Sequence, residues 1–303
     1  MRMYISSVPR KILEKFTERW PDEKVDVLRS FVLEPEETTD IALYRPACIS
    51  SLILDSGTFS INDNPDLADE STVNHYREYL RNYRSKFDFY FNYDISFDGN
   101  DHINWEMQRI LENPYPNPAD NQPSKSVPVI QDLADVPKYC KLKGDYPLVA
   151  IGSGANKKVK PLKDAVKKLY DAGIKVHLLA IATYDVLHDI PAWSCDFTSF
   201  LRWATFRRVC FFDQDENQEY VFSTKEFVKS GKDNVRYLFD GDEEYADKYG
   251  AWLAQKGFDD LFDIDFDKDI DTIMLANIWH YKELARIITE EHKDVHKFDF
   301  DEW

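Results

Sequence analysis

Residues 148–179 read LVAIGSGANKKVKPLKDAVKKLYDAGIKVHLL. Four apolar residues, Leu148–Ile151, run into a glycine-bearing turn at Gly152, Ser153 and Gly154. A helical stripe follows, with Leu162, Ala165, Val166 and Leu169 at i, i+3, i+4 and i+7, so the segment Leu162–Ala172 has one face to bury. Gly173 ends it as a C-cap, and the next apolar run, Val176–Ile181, begins at once. Strand, helix, strand at this spacing is a right-handed parallel crossover.

The pattern extends outward. Further strands are expected at Met3–Ser6, Ile49–Leu54, Phe87–Tyr93, Val127–Ile130, Trp193–Phe197 and Val209–Phe212, and further helices at Thr72–Arg84, Ile103–Glu112 and Ile270–Glu291. Strands that alternate with helices make a parallel α/β sheet. This number of them fits a TIM-like (β/α)8 barrel better than an open sheet. The chain is read as one barrel domain over residues 1–303, with no internal repeat.

The bulk composition suits that size of core. Of 303 residues, 43% are hydrophobic and 15% aromatic. Acids outnumber bases by 55 to 38, a formal charge of -17, so the surface as a whole repels polyanions. A nucleic-acid partner therefore needs a local basic patch. The four cysteines, Cys48, Cys140, Cys195 and Cys210, have no CxxC spacing and read as reduced thiols in a cytosolic protein. MRMYISSVPRK lacks a signal-peptide apolar stretch and no run of 18 apolar residues occurs, so neither export nor a membrane span is expected. Asn113–Ser126 (NPYPNPADNQPSKS) and Asp213–Gln218 read as loops. The acidic run from Asp263 fails the EF-hand template, with Lys268 at the glycine position and Met274 at the final glutamate position.

Polar residues recur where these strands end: Asp55 in LILDSGTFS, Asp94 in FDFYFNYD, Gln131 in VPVIQ, the Gly152–Gly154 turn, and Asp196 in WSCD. Each has a plain local explanation. Asp55 can cap a turn, Asp94 can pair with a lysine, Gln131 can cap a helix, and the glycines can be an ordinary turn. In a parallel barrel, however, all of these ends share one rim. A carboxylate and an amide there suit a purine edge: the first accepts from N1–H and the exocyclic amine, the second donates to O6. An aromatic such as Phe59 can stack on the base. Two more carboxylates can divide nucleophilic and acid/base work at C1′, as in retaining glycosidases.

These motifs resemble the tRNA-guanine transglycosylase superfamily. DSGTF is similar to that family's DSGGF or DSGGY, PVIQ to GIVQG, AIGSG to AIGGL, VHLLAIATYDVL to HLMGVGTPEDL, and DFTSFLRWA to DCVMPTRNA without a gap. LANIWHYKELARII resembles the family's last helix, so the likeness spans roughly residues 50 to 290. It implies Asp196 as nucleophile and Asp55 as general acid/base, with Asp94 and Gln131 reading the base. It also implies backbone contacts from Gly152, Ser153 and Gly154, with Ser56 in the DSGTF motif, and Phe59 and Leu179 on either side of the ring.

The departures are as informative. The tRNA enzymes carry a Cys-x-Cys-x2-Cys plus His zinc subdomain after the nucleophile motif. Here Val209–Phe222 reads VCFFDQDENQEYVF, with one cysteine, so a barrel lacking the zinc-binding subdomain and its metal is expected. Phe200 and Leu201 replace the family's Pro-Thr. A zinc-free member resembles the phage and bacterial branch that inserts 7-deazaguanine bases into DNA. By that likeness the partners are DNA and a free 7-deazaguanine base, with no cofactor, in the cytoplasm (the host's, if phage-encoded). tRNA is the alternative polymer, and a homodimer is left open. Phosphate contacts are assigned to Lys157 and Lys158, with Lys160 beside them, and to Arg202, Arg207 and Arg208, against the plainer reading of solvated charges. Arg202 can instead brace the Asp196 loop. His177, inside an apolar strand, reads as a core histidine with a satisfied hydrogen bond, and Cys195 as packing. Two rival readings stand beside this one: a non-catalytic nucleic-acid-binding subunit, and an unrelated barrel enzyme with Gly152-Ser153-Gly154 as a phosphate turn.

Overall fold

A computed structural model describes residues 1–58, 70–97, 101–112, 125–142, 144–152, 158–225, 235–239, 243–261, 264–266 and 268–298. The chain forms two compact units, residues 1–197 with 291–303, and residues 198–290.

The first unit is an all-parallel barrel flanked by helices. Its strands are β1 (Arg2–Ser6), β2 (Val25–Ser30), β3 (Ile49–Asp55), β4 (Tyr90–Phe91), β5 (Ser126–Val127), β6 (Val129–Ile130), β7 (Leu148–Ile151), β8 (Lys175–Leu178) and β9 (Ser194–Phe197). They are ordered β5-β4-β3-β2-β1-β9-β8-β7-β6. The two ends of that order, β5 and β6, are separated only by Pro128, which has no N–H to give a ladder. Hydrogen bonds continue on both sides of the break, from Asn92 N to Val127 O (3.0 Å) and from Ala150 N to Pro128 O (2.9 Å). The nine segments therefore act as eight staves, and the sheet closes on itself in the TIM manner. Tyr4, Leu28, Ile53, Phe89, Val129 and Ala150 fill the interior.

Helices lie between the strands: α1 (Arg10–Arg19), α2 (Pro35–Leu43), α3 (Glu70–Tyr83), α4 (Asp101–Glu112), α5 (Val136–Cys140), α6 (Val159–Asp171) and α7 (Tyr184–Leu187). The stripe that predicted α6 is the face it buries, Leu162, Ala165, Val166 and Leu169. Gly173 follows it at φ 76°, the left-handed conformation a helix C-cap takes.

The expected barrel differs from the observed one in two strands. Val209–Phe212 is a strand, but it belongs to the second unit, as part of β10 (Arg208–Asp213). It pairs antiparallel with β11 (Gln218–Ser223), which pairs parallel with β12 (Arg236–Tyr237). The barrel stave that replaces it is β2, which carries Asp26 and Arg29 and so did not read as a buried strand. Arg2 neutralises Asp26 through a two-pronged pair (2.7 and 2.9 Å). Arg29 is fully buried, pairs with Glu34 (2.8 Å) and Glu37 (3.1 Å), and donates to Val8 O (2.7 Å). Around the second unit's strands stand α8 (Ser199–Thr205), α9 (Glu243–Gln255) and α10 (Ile270–Asp294), whose end from Glu291 belongs to the first unit. Buried Asn277 of α10 ties this unit together. It accepts from Cys210 N (3.0 Å) and donates to Arg208 O (3.1 Å) and Phe200 O (3.3 Å). Among the described residues, no helix is long and apolar enough to cross a membrane.

Candidate functional site

The carboxyl ends of the barrel strands bring Asp55, Asp94, Gln131, Gly152 and Asp196 onto one rim, where TIM barrels carry their chemistry. Two groups form there.

The first surrounds Asp196, the third residue of β9, which is buried at 7% exposure. Ser6 Oγ at the end of β1 donates to Asp196 Oδ2 (2.7 Å). Ala180 N–H donates to Oδ1 (3.0 Å), and His177 Nε2 lies 3.3 Å from the same oxygen. Ala180 reaches this position with φ at 59°, an uncommon conformation for a residue with a side chain and one that clusters at functional sites. Asp55 ends β3 and is half-buried. Gly57 N–H donates to Asp55 Oδ2 (2.9 Å) from a turn at φ 81°. A Cβ on Gly57 would come within 2.6 Å of Ser30 Oγ, so this turn needs glycine. Burial, and then the charge of Asp196, push the Asp55 carboxyl up to about 7, against the opposing pull of the Gly57 and Ser56 N–H groups. Ser56 itself is buried and shares a hydrogen bond with Thr58 (3.2 Å).

The second group is Asp94, Gln131 and Gly152. Gln131 Nε2 donates to Asp94 Oδ2 (2.6 Å), and Asn92 Nδ2 donates to Asp94 Oδ1 (2.7 Å). A Cβ on Gly152 would lie 2.3 Å from Gln131 Oε1, so the amide rests directly on the glycine backbone. Asn104 of α4 holds the loop after Asp94, accepting from Ile95 N (2.9 Å) and Ser96 N (3.0 Å) and donating to Ser96 O (2.7 Å). Between the two groups Tyr76 of α3 feels both Asp55 and Asp94, and it donates to Phe91 O (2.9 Å).

Leu179 is half-buried and packs against the barrel interior. Phe59, Ser153, Gly154 and Lys157 lie outside the described residues. Lys158 is exposed at the N-terminal end of α6. Arg202, Arg207 and Arg208 belong to the second unit. There the Arg202 guanidinium lies over the Trp203 ring (5.9 Å), and that of Arg208 over Trp203 (5.5 Å) and Phe206 (5.6 Å). The segment Val209–Phe222 is the hairpin of β10 and β11, with buried Cys210 its one cysteine, and it does not fit a zinc site.

Ser6, His177, Ala180 and Asn92 contact the proposed site residues but were not read as functional from the sequence. Ser6 had a signal, since it ends the apolar run MYIS as Asp55 ends its own. His177 was read as a satisfied core histidine, and it is one: Nδ1 lies 2.8 Å from Ser194 Oγ. Its contact with Asp196 depends on the pairing of β8 with β9, which no local pattern shows.

Comparison of the chain with family models, curated proteins and solved structures yields no match.

Proposed function

We propose that the chain is a base-exchange transglycosylase that replaces guanine in DNA by a 7-deazaguanine, through a covalent glycosyl intermediate on Asp196. The observation that carries this reading is the unequal pair of carboxylates. Asp196 accepts from Ser6 and Ala180, while Asp55, which feels the Asp196 charge, is pushed up to about 7 and so is protonated in a large fraction of molecules near neutral pH. One nucleophile and one acid from two identical side chains is the division that substitution at a glycosidic carbon requires.

Asp196 attacks C1′ of the target nucleoside. The C1′–N9 bond breaks, its electron pair goes to the departing guanine, and Asp55 supplies the proton. The incoming base then gives its N9 proton to Asp55 as N9 attacks C1′ and Asp196 leaves. Two displacements retain configuration at C1′. Asp94 and Gln131 suit the Watson–Crick edge. Gln131 gives one amide hydrogen to Asp94 and keeps the other for O6, while Asp94 accepts from the N1–H side. Phe59 and Leu179 would flank the ring, with Ser153 and Gly154 adding backbone contacts. The target base must be single-stranded or flipped to reach a barrel mouth. Lys158 and the arginines of the second unit are the proposed phosphate contacts. DNA is preferred to tRNA because a hairpin with one cysteine stands where the resemblance places the zinc subdomain.

The test is incorporation of labelled guanine, and in parallel of 7-deazaguanines, into single-stranded DNA, duplex DNA and tRNA. Label in DNA that is lost with Asp196→Asn supports the reading. Label in tRNA alone would move the substrate and keep the mechanism. No label in any polymer would favour a binding subunit instead.

A further inference from the structure

His177 is fully buried in the barrel, its ring against Phe91 (4.9 Å between centroids) and Tyr4 (5.9 Å). Both ring nitrogens nevertheless meet polar atoms. Nδ1 lies 2.8 Å from Ser194 Oγ, and Nε2 lies 3.3 Å from Asp196 Oδ1. The two neutral tautomers differ sharply in what they do here. A hydrogen on Nδ1 would point at Ser194 and leave the Nε2 lone pair facing a carboxylate oxygen, two acceptors in contact. A hydrogen on Nε2 gives Asp196 a donor, and the Ser194 hydroxyl then donates to Nδ1. Only the second arrangement uses every polar atom in a buried place, where an unmet one is costly.

We infer that Ser194 fixes His177 as its Nε2–H tautomer and that His177 is a positioning residue for Asp196. Asp196 Oδ1 then receives two N–H donors, from His177 and Ala180, which fill its in-plane lone pairs. Oδ2 receives the Ser6 hydroxyl and, among the described residues, no second donor, so it keeps a lone pair. Oδ2 is the oxygen that bonds to C1′, while Oδ1 stays anchored. The 3.3 Å separation is long for a charge-assisted bond, and the proposed role requires it to tighten in the substrate complex. The role in attack rests on the reading of Asp196 as nucleophile; the tautomer does not.

Two measurements test this and fail separately. The protein is labelled with ¹⁵N-histidine, and the His177 signals, among those of seven histidines, are identified by their loss in His177→Gln. At pH 7.5 the expected spectrum has a protonated Nε2 and a bare, hydrogen-bonded Nδ1. A protonated Nδ1 overturns the proposal without any substrate being added. In the base-exchange assay, His177→Phe, which keeps a ring and removes the donor, is expected to lower kcat roughly 10- to 100-fold at unchanged KM for guanine. His177→Gln, which restores an N–H at similar reach, is expected to recover most of it. Equal activity of the Phe and Gln variants overturns the positioning role. Absence of exchange by the unaltered protein in every polymer counts against the transglycosylase reading, and the ¹⁵N spectrum still decides the tautomer.

Discussion

Asp55 and Asp196 end two strands of the same barrel and face the same rim, yet their surroundings differ. Asp196 is set among donors from two other strands, Ser6 at the end of β1 and His177 and Ala180 in and just after β8. Asp55 has its own turn, with N–H groups from Ser56 and Gly57, and it carries the electrostatic cost of lying near Asp196. Two identical side chains thereby meet unlike surroundings, and those of Asp55 push its carboxyl up to about 7. On the proposed reading, environment and not residue type assigns the roles.

The comparison can be broken at Asp196 first. Asp196→Asn keeps the shape and removes the proposed nucleophile, and is expected to lower base exchange at least about 10³-fold. Mass spectrometry of the protein with substrate should then show no covalent adduct. An active Asn variant would end the division of labour proposed here.

Gly152→Ala leaves both carboxylates alone and probes the other side of the rim. Its new methyl would lie within 2.3 Å of Gln131 Oε1, so the amide must leave Asp94. Guanine affinity, read by calorimetry, is expected to fall about 10- to 100-fold, the effect of losing one or two good polar contacts. The pH dependence of exchange should stay as it was.

Asp55→Asn sharpens the comparison through stability. The folded carboxyl sits at about 7, above the ordinary value of 3.8, so the folded state holds the proton more tightly. That contribution is full below the ordinary carboxylate range and is lost as pH rises to about 7. The full shift corresponds to roughly 4 kcal/mol, and the partial exposure of Asp55 reduces this to about 2 kcal/mol. Urea unfolding should therefore find Asp55→Asn more stable than the unaltered protein at pH 8, with the gap closing toward pH 4. In the unaltered protein, release of guanine should slow as pH rises past about 7, because the acid loses its proton.

Smaller effects mark the details of the Asp196 side. Ser6→Ala removes the Ser6 hydroxyl that donates to Oδ2 and is expected to lower kcat about tenfold, with KM for guanine nearly constant. Ala180→Gly relieves a left-handed backbone position and keeps the N–H. It should raise the unfolding free energy by about 1 kcal/mol, measurable by urea titration.

Much of this site was legible before the fold was described. Asp55, Asp94, Gln131, Gly152 and Asp196 were found because each interrupts an apolar run at its carboxyl end, a signal carried by consecutive residues. The strands they end were legible for the same reason. β2 was not, because Asp26 and Arg29 look wrong for a buried strand until Arg2, Glu34 and Glu37 are seen beside them. Val209–Phe212 failed in the opposite way. It has the pattern of a barrel stave, and the pattern says nothing about which strand will pair with it.

The sequence by itself determined the strand–helix alternation, the parallel barrel that follows from it, and the acids and amide at the strand ends, because these depend on the period of apolar residues along the chain. Only the tertiary structure decided that Pro128 divides a stave at which the sheet closes, and that residues 198–290 form their own unit. It alone decided that His177, Ser6 and Ala180 converge on Asp196 while burial and the nearby charge of Asp196 push the Asp55 carboxyl up. Those outcomes depend on which residues meet across strands far apart in sequence, and on the burial and charge each then feels. No local stretch of sequence holds that information.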